Sequence, residues 1–107
     1  MSGADAFNDI LEFIGGHGYP FDRWYAGITN DWERRRKEHR VEGGYIARIC
    51  SSRNVAASVE AILLALGCKG RSGGGADADM IYAFFLHHVE ERLGLVHLIY
   101  VFCLKVD

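Results

Sequence analysis

Proline is nearly absent from this sequence. Pro20 is the single one among 107 residues, so breaks in regular structure fall to the 13 glycines. Cysteine is scarce and odd in number. Cys50, Cys68 and Cys103 include no C-x-x-C pair, which argues against a disulfide framework and against a cysteine zinc site. Their plain reading is buried thiols in a reducing cytosol. No apolar run reaches the roughly 18 residues that a membrane span needs, so no membrane role is expected. The first nine residues carry two acids and no base, unlike a secretory signal, and a cytoplasmic location is the expectation. Half of the residues are hydrophobic and a quarter charged, a globular balance for one domain over 1–107.

The formal net charge of −2 conceals a segregation. Residues 23 to 71 hold ten of the twelve bases and five acids, a net of +5, while the two flanks together hold two bases and nine acids. A basic middle in an acidic whole suits contact with phosphates on one face. It also suits helix faces that are simply solvated.

Phe7, Ile10, Leu11 and Ile14 recur at helical spacing behind Ser2 and Asp5, and Gly15-Gly16 offers a stop, so a helix is expected over 4 to 14. Residues 16 to 20 read as a loop. Residues 24 to 29 alternate, with Trp24, Ala26 and Ile28 on one face and Tyr25, Gly27 and Thr29 on the other, and predict a strand. Asn30 is placed to cap a following helix, with Glu33 in capping-box position. That helix runs to about His39 or Arg40, ahead of Gly43-Gly44. A second strand is expected over 45 to 50 and a helix over 55 to 66, with Ser51, Ser52 and Asn54 as possible caps and Gly67 as stop. The glycine-rich stretch 68 to 76 reads as a mobile loop. Residues 80 to 86 are rich in β-formers and read as a third strand. Ile81, Phe85 and His88 also fit one helical face. Residues 95 to 106 are apolar and read as another strand. The order implies an α/β fold with a small, mainly antiparallel sheet of three or four strands flanked by helices.

Two helices pose problems that bear on chemistry. In the helix from 31 to 40, Trp32 is the single large apolar residue. If it docks the helix on the sheet, Arg35 and His39 lie beside that contact, one turn apart. The helix from 55 to 66 is apolar nearly throughout, and its polar residues are Ser58 and Glu60. A carboxylate there is costly to bury unless it is paired or binds a cation. Glu60 therefore either pairs with an arginine, for example Arg35 or Arg48, or coordinates a metal.

The run Tyr25-Ala26-Gly27-Ile28-Thr29-Asn30-Asp31, followed by Glu33-Arg34-Arg35-Arg36-Lys37-Glu38-His39, resembles the second half of the GIY-YIG nuclease signature. There a Tyr-x-Gly strand runs into a helix carrying Arg-Arg-x-x-x-His. The likeness continues through a short strand, an alanine-rich helix with the central Glu60, a glycine-rich loop and the Ile81-Tyr82-Ala83-Phe84 strand, over roughly 24 to 86. The resemblance implies a divalent-metal phosphodiesterase acting on DNA or RNA with Mg²⁺ or Mn²⁺. Arg35 would steady the scissile phosphate and Glu60 would hold the metal ion. Tyr25, His39 and a second tyrosine would lie in the site. Arg34, Arg36, Lys37, Arg40, Lys69 and Arg71 would meet the nucleic acid. Neutralising developing charge is what phosphoryl transfer needs most, and carboxylate oxygen suits these ions. The sequence departs from the pattern in three respects: the middle residue of the second motif is Ala26, the family's usual asparagine has no clear counterpart, and no Gly-Ile-Tyr strand precedes Tyr25. The vacant place is open to residues 80 to 86 with Tyr82, or to residues 98 to 104 with Tyr100, in a permuted strand order. A non-catalytic nucleic-acid- or protein-binding module on the same scaffold is the alternative.

Other signals are weaker. His87-His88-Val89-Glu90-Glu91 contains His-x-x-Glu twice, a spacing that binds metal on a helix and equally a solvated patch. The glycine run 73 to 75 lacks Walker spacing. An apolar strand with an open edge can pair with a second copy, so a homodimer through an edge strand is a further possibility.

Overall fold

The computed structural model describes residues 1–71 and 73–86. Within them three helices flank a three-stranded antiparallel sheet. The expected segment 95 to 106, with Tyr100 and Cys103, and the histidines at 87 and 88 lie outside the described residues.

Helix α1 spans Gly3–His17. The Ser2 hydroxyl accepts from the Asp5 amide, and Ala6, Ile10 and Ile14 form the buried stripe. The helix passes through Gly15-Gly16, where a stop was expected, and ends at Gly18. The reason is conformational. Glycine stops a helix where the chain turns left-handed, and that residue is Gly18, with φ 73° and its amide on the Gly15 carbonyl at 3.1 Å.

Strands β1 (Trp24–Thr29), β2 (Tyr45–Ile49) and β3 (Met80–Phe85) lie in the order β1-β3-β2. The helical alternative for residues 80 to 86 is not adopted. As the central strand, β3 is covered on both faces, so its apolar residues run on without the alternation that marks a half-buried strand. In the β1–β3 register Gly27 stands opposite Tyr82, and Trp24 opposite Phe85.

The alternation of β1 sorts side chains to two cores. Trp24, Ala26 and Ile28 pack with Ile46, Ile81 and Ala83 under α1 and α3, which spans Arg53–Leu66. Tyr25, Tyr82 and Phe84 pack with Trp32 and Val41 under α2, which spans Trp32–Glu38. Trp32 anchors α2 by stacking on Tyr82, with ring centroids 4.5 Å apart.

The cap of α2 is Asp31, one residue later than Asn30. Asp31 is extended (φ −152°) and its carboxylate accepts from the Arg34 amide at 3.1 Å. The Asn30 side chain is spent elsewhere: it donates to Asp77 at 3.0 Å and accepts from Arg34 Nη2 at 3.2 Å. Helix α3 is capped by Ser52, whose hydroxyl accepts from the Val55 amide at 3.2 Å. Ser52→Ala is expected to cost about 1 kcal/mol, read as a shift in the urea midpoint with unchanged slope.

The start of the glycine-rich stretch is not a free loop. Lys69 bridges β1 in parallel, donating its amide to the Trp24 carbonyl at 2.7 Å and accepting from the Ala26 amide at 2.9 Å. Gly70 makes this approach possible, since a Cβ there would collide with the Ala26 carbonyl oxygen, and its φ is +139°. On the other outer strand, the Ala47 carbonyl accepts from Arg48 Nη1 at 2.9 Å and the Ile49 carbonyl accepts from the Met1 amine at 3.0 Å. Cys50 and Cys68 are buried free thiols, and burial pushes the Cys68 thiol up to about 11. No helix among the described residues is long and apolar enough to cross a membrane.

Candidate functional site

The edge of β1 is where the two helices of opposite faces come together. Lys69 covers that edge as far as Ala26. At Gly27 and Ile28 a narrow cleft follows, lined also by Arg35 from α2, Glu60 from α3, and Arg71, Gly73 and Gly74. Its open volume is about 10 Å³, room for about one water molecule or one bare ion. Arg35 and Glu60, 25 residues apart in sequence, thus share one small concave site.

Glu60 is 2% exposed. Burial raises its carboxyl to about 7, against the opposing charge of Arg53 and a hydrogen bond from the Gly73 amide. Of the two arginines considered as partners, Arg48 is bound to Asp9 at 2.8 Å and Arg35 pairs with Glu38 at 3.5 Å. Among the described residues no ion pair to Glu60 forms. No group of three or more His, Cys, Asp or Glu residues capable of holding a metal occurs there either. Glu60 supplies one carboxylate and no closed protein cage, so a hard divalent ion there would keep most of its water, and the cleft, with room for one bare ion, would have to open to admit it.

Tyr25, His39 and Tyr82 lie one layer further in, on the α2 side of the sheet. All three are buried. His39 Nε2 stands 3.3 Å from the Tyr82 hydroxyl. The Tyr25 ring stacks on Phe84 and tilts against His39, at 5.2 Å in each case. Burial, then the charge of Arg35, lowers His39 to about 4, so its imidazole is neutral at pH 7. The inner layer meets the cleft at Gly27. A Cβ on Gly27 would lie 2.6 Å from Tyr82 Cζ, so the bare glycine is what lets Tyr82 stand against the cleft wall.

The basic residues divide. Arg34, Lys37, Arg40, Lys69 and Arg71 are exposed, and of these Arg71 lines the cleft. Arg36 is committed inward: it donates to Glu33 at 2.9 Å and to the Val41 carbonyl at 3.0 Å, and lies over the Tyr45 ring. It is a brace for the end of α2. Arg53, absent from the candidates drawn from the sequence, adjoins Glu60 through the loop. Its partners are backbone carbonyls, which leave no side-chain pattern to read.

No protein-family model, curated protein or solved structure matches the chain.

Proposed function

We propose that this protein is a divalent-metal-dependent phosphodiesterase that cuts nucleic acid, with the β1-edge cleft as its site. The observation that carries the reading is the shared cleft of Arg35 and Glu60, with Arg71 at its rim. Two guanidiniums and a lone buried carboxylate have the chemistry for a phosphate and a hard cation together, and the cleft, about 10 Å³ as it stands, would have to open to take them. Glu60 would hold Mg²⁺ or Mn²⁺, which supplies charge neutralisation on the phosphate. Arg35 binds and orients the scissile phosphate, and Arg71 meets the strand entering the cleft. Tyr82, bonded to neutral His39, is the group suited to pass a proton between the cleft wall and the interior. Its strand lies antiparallel to β1 with Tyr82 opposite Gly27, as the permuted GIY-YIG reading asks of the strand that fills the vacant place. Tyr25 supports the aromatic layer behind it.

A second reading, a phosphate-binding module that does not cut, is favoured by the burial of Tyr25, His39 and Tyr82. One assay separates the two. Purified protein is incubated with supercoiled plasmid and Mg²⁺ or Mn²⁺. Nicking that EDTA abolishes, and that falls by about a hundredfold or more in Arg35→Ala and Glu60→Gln, supports the enzyme. Retained, salt-sensitive binding with no nicking under any metal supports the module.

A further inference from the structure

Arg53 opens α3 and Glu60 follows seven residues later on the same helix, two turns on and on the same face. The two side chains grip one backbone segment. Arg53 Nε donates to the Gly75 carbonyl at 3.3 Å, and Nη2 to the Gly73 carbonyl at 3.4 Å. The Gly73 amide in turn donates to the Glu60 carboxylate. Gly73 and Gly74 form one wall of the cleft, and both have positive φ, +151° and +94°. A glycine segment loses more conformational freedom on ordering than any other, and these residues have no side chains with which to offset that loss. Gly74 packs closely on Ile28, where a Cβ would lie 2.7 Å from Cγ1. That contact fixes one point of the wall, and the Arg53 fork fixes the carbonyls on either side of it.

We propose that Arg53 is a positioning residue of the cleft: its guanidinium holds the segment from Gly73 to Gly75 in place, so that the Gly73 amide stays on the Glu60 carboxylate. The role needs the planar fork, because two carbonyls two residues apart are met by two donors of one rigid group. A lysine ammonium brings the same charge without that geometry. The consequence for cation affinity rests on the reading of Glu60 given above; the positioning itself does not.

The test compares wild type, Arg53→Lys and Arg53→Gln in the full chain, each checked for an unchanged fold by circular dichroism. Amide hydrogen exchange at Gly73 and Gly75 is measured without metal, and Mn²⁺ affinity is then titrated at pH 8. Both variants are expected to speed Gly73 exchange by about tenfold, while the β3 amides keep their protection, and to weaken Mn²⁺ binding in the same order. Unchanged exchange in Arg53→Gln overturns the proposal. So does full recovery of both readouts in Arg53→Lys, since charge alone would then suffice. Faster exchange in a protein whose wild type binds no Mn²⁺ upholds the positioning role and removes the cation reading instead.

Discussion

Replacing Glu60 with glutamine is expected to stabilise the metal-free protein at pH 8 by as much as about 3 kcal/mol and to leave it unchanged near pH 4.5. The carboxyl is raised from its ordinary 4.5 to about 7 by burial. Below 4.5 the group is protonated in both the folded and unfolded chain, so it contributes nothing. Between 4.5 and 7 the unfolded chain releases the proton that the folded chain still holds, and stability falls as pH rises. Above 7 the loss is complete. His39 acts in the opposite sense. Its value is lowered from 6.5 to about 4, so its contribution is fully present above 6.5 and is lost as pH falls through 4. From 4.5 to 6.5 the two slopes cancel, and wild-type stability should be nearly level there. Glu60→Gln should climb with pH over that window, and His39→Gln should fall. Urea unfolding at half-unit pH steps reads all three profiles. Identical profiles in wild type and Glu60→Gln would show that the carboxylate is not buried at a cost. Saturating Mg²⁺ should recover much of the loss at pH 8 in wild type and none in Glu60→Gln.

The second large effect is expected at Gly27. Gly27→Ala drives a methyl into the Tyr82 ring, 2.6 Å from Cζ. The ring has nowhere to go, because Trp32 stacks on it at 4.5 Å and its hydroxyl meets His39 at 3.3 Å. Overpacking of this kind costs about 1–3 kcal/mol. Coupling to Tyr82 distinguishes it from a loss of backbone freedom. In a Tyr82→Phe background the methyl meets a smaller group, so the Gly27→Ala penalty should shrink by about 1 kcal/mol in a double-mutant cycle. Strict additivity would mean that Gly27 and Tyr82 do not press on each other. On the proposed function both variants should lower nicking, Gly27→Ala by displacing the Tyr82 ring and Tyr82→Phe by removing its hydroxyl.

The elements were legible where local chemistry is decisive. The alternation of residues 24 to 29 gave β1 its true limits, and Trp32, alone on its helix, marked the docking face of α2. Boundaries went astray where several residues compete for one role. Asn30 and Asp31 both cap helices, and the choice fell to Asp31 because Asn30 is drawn to Asp77. Gly15, Gly16 and Gly18 all permit a stop, and the stop falls at Gly18 because it is the residue that turns left-handed. For β3 the periodicity is silent, since a strand buried on both faces shows no alternation. That Glu60 would be costly to bury followed from one acid on an apolar helix, but the arginine partner which that cost suggested does not form among the described residues. That Arg35 lines the same cleft does not follow from any local rule. It depends on two helices on opposite faces of the sheet reaching around the β1 edge at a residue without a side chain. Arg53 was invisible for a related reason: a glycine segment offers it only main-chain partners.

Glu60 is proposed to bind a divalent cation in the cleft that it shares with Arg35. Paramagnetic broadening of backbone amide resonances by Mn²⁺ at pH 8 tests it most directly. Broadening centred on Gly27, Gly73 and Gly74 is expected in the wild type, with its loss in Glu60→Gln. Broadening centred instead on the acidic side of α1, at Asp9 and Glu12, or broadening at the cleft that persists in Glu60→Gln, would contradict it.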